Sequence, residues 1–339
     1  MTDERNPGMG EYDDEPAALL ALDALTPDEQ VEAELRLGPW PMPLAEATLP
    51  LAEAVASEPP PDLRSDVLAA ALARRPAGRP VPAVRAVTPA EAFERTLDEF
   101  HDLLLSLSEA EASRSAHEEH GRVRDLVAHL AGVERLNLRW LDPDGDAPYL
   151  PDHVAATRAT VAELADLPFA EVVARWHAAA LAMLAAARRG DQDRQVPFHD
   201  IAVTVGGMLT MRTFELWAHG MDIALATDRP LLDLDDERMR LMSSRLMDAL
   251  PLALAYRGVE PPGRTVRFVL TGPGGGCYDV PLDGAAAATD PDVLVVTDVV
   301  ALCRVAAARL GPDRLDVTVE GDRELADLVL AHVDAFARD

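Results

Sequence analysis

Apolar positions recur at three- and four-residue steps along most of residues 88–257, and the period shortens to two only beyond Pro261. The first spacing belongs to helices that bury one stripe, the second to strands that bury one face. Thr88-Pro89-Ala90-Glu91 is a capping box with proline at the first helical position, and the helix it opens carries Phe93, Leu97, Phe100, Leu104 and Leu107 on one stripe. A second helix places Leu126, His129, Val133, Leu136 and Trp140 together. A third helical region covers about 152–189, with Val161, Leu164, Val172, Trp176 and Leu184 inward and a break near Leu167-Pro168. Residues 190–207 read as a loop into a fourth helix, and 235–250 as a further one.

Beyond Pro261, Thr265–Thr271 and Tyr278–Leu282 read as strands joined by Gly272-Pro-Gly-Gly-Gly276. Strands at 292–296 and 315–319, with helices near 297–310 and 322–337, complete a small α+β domain. Upstream, Thr26-Pro27-Asp28-Glu29 is another capping signal, and helices are expected at 27–37, 43–57 and 62–74. The fold class is therefore mainly α: a helical domain over 1–75, a Pro-rich linker over 76–87, a four-helix bundle over 88–257 and an α+β domain over 258–339. A chain of 339 residues supports two or three such units.

Two of these stripes turn polar where they face a core. In Arg212-Thr-Phe-Glu-Leu-Trp-Ala-His-Gly-Met-Asp222, helical spacing stacks Glu215, His219 and Asp222 on the face that carries Met208 and Met211 upstream. Buried polar groups need compensation. A divalent metal compensates them well, since Glu-x-x-x-His offers a hard oxygen and an imidazole nitrogen, and His129 is the best third donor. His129, Glu215 and His219 would then leave the fourth zinc position open, as catalytic sites do. Spacing alone equally allows hydrogen-bonded core histidines. Asp222 and Asp125 are placed to accept a hydrogen bond from a ligand imidazole, although Asp125 also suits a helix first turn. His117 and His120, in His-Glu-Glu-His just before Gly121, read as solvated, and His199 stands in the loop before the fourth helix.

Charge narrows the partners. The net formal charge of −28 argues against direct nucleic-acid or anionic-lipid binding. No residue is lysine, which excludes Schiff-base chemistry and a P-loop, so the glycine run at 272–276 is no phosphate cradle. Cys277 and Cys303 have no CxxC spacing; Cys303 reads as packing and Cys277 as exposed. With no signal peptide and no apolar stretch long enough to span a bilayer, the expectation is a cytoplasmic protein.

Val123-Arg-Asp-Leu-Val-Ala-His-Leu-Ala-Gly132 together with Arg212-x-x-Glu-Leu-Trp-Ala-His-Gly-x-Asp222 resembles the mycothiol-dependent maleylpyruvate isomerase family within the DinB-like metalloproteins. The resemblance implies a DinB-like bundle holding zinc at His129, Glu215 and His219, mycothiol as thiol cofactor, cis-to-trans isomerisation or thiol transfer, and a C-terminal domain that helps close the site. The family commonly has tryptophan after the glycine that starts the first motif, where this chain has Arg122. Residues 12–75 resemble an anti-sigma-factor domain without its zinc cysteines, with 14 acidic and 2 basic side chains in the first 60 residues. That resemblance implies a sigma factor as partner, and the alternative to an enzyme is a non-catalytic regulator whose bundle senses metal or thiol.

Overall fold

A computed structural model describes residues 85–142, 152–198, 201–284 and 290–334. The three helices expected before residue 75, the linker up to residue 84 and His199 lie outside the described residues. Helix α1 (Pro89–Leu105) starts where the capping box indicates: Thr88 Oγ1 accepts the Glu91 amide at 3.2 Å, and the Glu91 carboxylate accepts the Thr88 amide at 3.1 Å. A short helix α2 (Glu109–Ala112) and an antiparallel pair, β1 (Ser115–His117) with β2 (Gly121–Arg122), follow it. Helices α3 (Val123–Leu141), α4 (His153–Leu164) and α5 (Phe169–Arg189) come next, with the expected break falling between the last two.

Residues 190–207 correct the expectation of a plain loop. They contain a second antiparallel pair, β3 (Gln195–Phe198) and β4 (Ile201–Thr204), from which α6 (Val205–Thr227) starts directly. Val196 and Phe198 alternate inward there, a period of two too short to stand out in the sequence.

Helices α1, α3, α5 and α6 share one apolar core, in which Phe93, Phe100, Leu126, Trp176 and Met208 are fully buried. Each such side chain contributes about 1.5–3 kcal/mol by leaving water. Helix α5 also corrects an expectation, because by length and composition it is apolar enough to cross a membrane. Its alanines raise its hydropathy, while Val172, Trp176, Met183 and Ala187 are buried in the shared core.

The other side of α6 serves a second core. Trp217, Ala218 and Met221 pack there with α7 (Asp236–Tyr256) and a four-stranded sheet. In that sheet β6 (Gly276–Pro281), β5 (Thr265–Thr271), β7 (Val293–Asp298) and β8 (Val317–Gly321) lie side by side in that order. Strands β5 and β7 run parallel, and the two outer pairings are antiparallel. Helices α8 (Val299–Ala306) and α9 (Arg323–Leu330) are shorter than expected. The chain leaves α8 through Ala308 at φ 57°, a left-handed cap of the kind that glycine usually fills.

Cys303 is fully buried on α8, and burial pushes its thiol up to about 12, whereas Cys277 on β6 is exposed. One thiol per native chain is expected to react with a disulfide reagent at mildly alkaline pH, and the second only in denaturant. Two fast-reacting thiols in the native protein would contradict this packing.

Candidate functional site

The site assembles where α3, α6, the β1–β2 hairpin and the end of α8 meet. His129 sits on α3 with only 1% of its surface exposed, and its Nδ1 lies 2.8 Å from Thr157 Oγ1 on α4. A hydroxyl has a single proton to donate, and Thr157 gives its own to the Val154 carbonyl at 3.0 Å. Thr157 therefore accepts, and His129 carries a proton on Nδ1. Gly132 makes the approach possible: a Cβ there would stand 2.8 Å from Thr157 Cβ and Cγ2.

His219 on α6 is equally buried, and its Nδ1 lies 3.1 Å from Asp222 Oδ2 one turn later. Arg309, just beyond α8, donates from Nε to Asp222 Oδ1 at 3.1 Å and from Nη2 to Oδ2 at 2.6 Å. Burial by itself would raise the Asp222 carboxyl, but hydrogen bonds from His219 and Arg309 and the positive charges of both outweigh it and hold it below the ordinary carboxylate value. Nη2 also comes within 3.3 Å of His219 Nδ1, but its shorter contact is to the carboxylate. His219 thus donates from Nδ1 to an anionic acceptor.

The rings of His129 and His219 are 6.4 Å apart, centre to centre, and nearly perpendicular. Glu215 shares α6 with His219, but its Oε2 is paired with Arg212. That arginine is fully buried and also donates to buried Glu134 Oε1 at 2.8 Å. Removing one member of a buried ion pair costs about 3–5 kcal/mol, because the other charge stays in the core. Glu215 Oε1 is buried and takes no hydrogen bond. The structure thus brings two predicted residues together and turns the third toward an arginine. Among the described residues, no three His, Cys, Asp or Glu side chains stand ready as a metal-ligating group. The chemistry of the donors nevertheless suits a divalent cation: two imidazoles anchored through Nδ1, and a carboxylate with an unused buried oxygen.

His117 and His120 correct the expectation of solvated side chains. Both are half-buried, with the His120 ring 4.0 Å from His129 and 5.6 Å from His219, and the His117 ring 5.7 Å from His219. A cleft of about 540 Å³ opens beside them, lined by His117, Glu118, Glu119, Asp222 and Arg309 among others. Thr157 and Arg309 carried no signal in the sequence, one being a threonine on a helix with no polar partner at helical spacing and the other one arginine among many. Asp125 pairs with Arg122 rather than with a histidine, with oxygen–nitrogen distances of 2.8 and 3.0 Å.

Residues 93–224 match the family model of the mycothiol maleylpyruvate isomerase N-terminal domain. Two solved structures are similar to the chain. One is a histidine-to-alanine mutant of the mycothiol-dependent maleylpyruvate isomerase, at 18% identity and TM-score 0.48. The other is a structure of that isomerase, at 19% identity and TM-score 0.47. Each alignment covers 68% of this chain and 91% of the other. No curated protein matches the chain.

The hydrogen bonding makes a tautomer prediction. In metal-free protein, nitrogen NMR is expected to find His129 and His219 protonated at Nδ1, and Thr157→Val is expected to release His129 from that form while leaving His219 in it. Gly132→Ala is expected to lose about 1–3 kcal/mol of stability by forcing α4 away from α3. An unchanged His129 spectrum in Thr157→Val would refute the assignment.

Proposed function

We propose that this chain is a zinc-binding, mycothiol-dependent protein of the maleylpyruvate isomerase kind. In this reading the helices over 88–257 are a DinB-like bundle that holds the cation through His129, Glu215 and His219. The observation that carries it is the pair of buried imidazoles on different helices, each held at Nδ1 by an oxygen. The family match over residues 93–224 supports it further. A zinc ion with three protein donors supplies an open position at which a bound thiol loses its proton.

The chain's own residues do the remaining work. Thr157 and Asp222 hold the two rings, and Glu215 offers the oxygen that Arg212 leaves unused. Arg309 spends Nε, one Nη2 proton and one Nη1 proton on Asp222 and the Ala307 carbonyl, which leaves one N–H on each terminal nitrogen for an anionic group in the cleft. Such a site suits addition of a thiolate to an unsaturated acid, with isomerisation or thiol transfer as the outcome. The acidic segment before residue 75 is proposed to dock a basic protein surface of the sigma-factor type; as a regulator, the same bundle would sense metal or thiol.

His129→Ala, and Glu215→Ala combined with His219→Ala, are expected to abolish stoichiometric zinc in the purified chain. Undiminished metal in those variants would overturn the site. Turnover of maleylpyruvate is expected only with added mycothiol, and recovery of a sigma factor in a pull-down is expected to disappear when residues 1–75 are deleted.

A further inference from the structure

Two histidines lie stacked across the seam between α1 and α5. The rings of His101 and His177 have their centres 3.8 Å apart and their planes 10° from parallel, and both residues are half-buried. Beneath them the fully buried Trp176 ring lies 6.3 Å from His101 and 6.1 Å from His177, and Phe100 stands 5.1 Å from Trp176. Two imidazoles hold that distance only while at most one is charged, since like charges so close oppose each other.

The surrounding charges leave that conflict in place. Asp98, one turn before His101, is the anion that reaches His177. On α5, Arg175 is taken by Glu171, and across the seam Arg188 is taken by Glu94 at 2.8 and 2.6 Å. Toward α7, Arg95 pairs with Asp235 and Glu237, and Arg238 with Glu99. On α3 and α6, Glu134, Arg212 and Glu215 engage one another. Burial, then the His101 charge, hold the His177 ring below the ordinary imidazole value, against the pull of Asp98. A ring that takes up protons less readily when closed than when opened adds its full stability above about pH 6.5 and loses it as the pH falls below that value.

The seam has a strategic position. Helix α1 packs mainly on α6, and α3 mainly on α5, so the four helices form two pairs, one carrying His219 and the other His129. The pairs meet at α1–α5 and again at α3–α6, where those two imidazoles come within 6.4 Å. We infer that the His101–His177 stack is an acid-released latch between the two helix pairs, closed while both rings are neutral and opened when both take up protons, so that His129 and His219 lose their fixed spacing. The inference does not depend on zinc.

Hydrogen exchange of the full chain tests this. From about pH 7.5 to about pH 5.5, amides of α1 and α5 are expected to lose about tenfold in protection, while those of β5 and β7 keep theirs. The double variant His101→Gln with His177→Gln is expected to keep equal protection in α1 and α5 at both pH values. Unchanged protection in the wild-type chain, or the same loss in the double variant, would overturn the latch. Proton NMR of the wild-type imidazoles gives a reading that needs no variant: His101 and His177 are expected to titrate in two separated steps, and independent titration of both at the ordinary value would equally overturn it.

Discussion

An imidazole buried between helices is tolerated only if its polar atoms are satisfied, since an unmet donor or acceptor costs about 1–3 kcal/mol. The region around His129 and His219 is organised by that requirement. Each ring donates from Nδ1 to an oxygen that cannot donate back, Thr157 because its proton is spent on Val154 and Asp222 because it is an anion. The outer hydrogen bonds thereby decide which nitrogen of each ring is held. They also decide the backbone: α4 comes close enough for the Thr157 contact only because residue 132 is glycine.

Helix α6 carries this constraint across the molecule. One of its sides belongs to the core built with α1, α3 and α5, and Trp217, Ala218 and Met221 belong to the core of the sheet. His219 and Asp222 lie on the same stretch, so Arg309 from the far end of α8 reaches them across a helix common to both cores. Arg238 adds a second tie, forking from α7 onto Glu99 of α1 at 2.7 and 2.8 Å. The α+β part of the chain is therefore built into the wall of the cleft.

With no lysine in the sequence, guanidinium groups make all such ties. Their planar fork donates to two oxygens at once, as Arg188 does to Glu94 and Arg135 to Glu163. Arg212 uses the same property in the core, serving Glu134 and Glu215 together. Glu215 is consequently held by an arginine, although it stands one turn from His219 on the same helix.

Much of this was legible in the amino-acid order, because helix caps and apolar stripes are local. Thr88 to Glu91 announced α1, the step from a period near four to a period of two announced the sheet, and His129, Glu215 and His219 stood out as polar residues on core-facing stripes. The β3–β4 pair escaped because two inward side chains make no pattern, and His117 and His120 were misread because nothing local tells a hairpin folded over a core from one facing water. Thr157, Arg309 and the arginine bound to Glu215 are partners chosen by packing between segments far apart in the chain. The sequence by itself determined which residues were capable of chemistry; which atom of each is held, and by what, was decided only when α4, the hairpin and the end of α8 closed around α3 and α6, since a hydrogen bond depends on distance and direction that no spacing along one helix encodes.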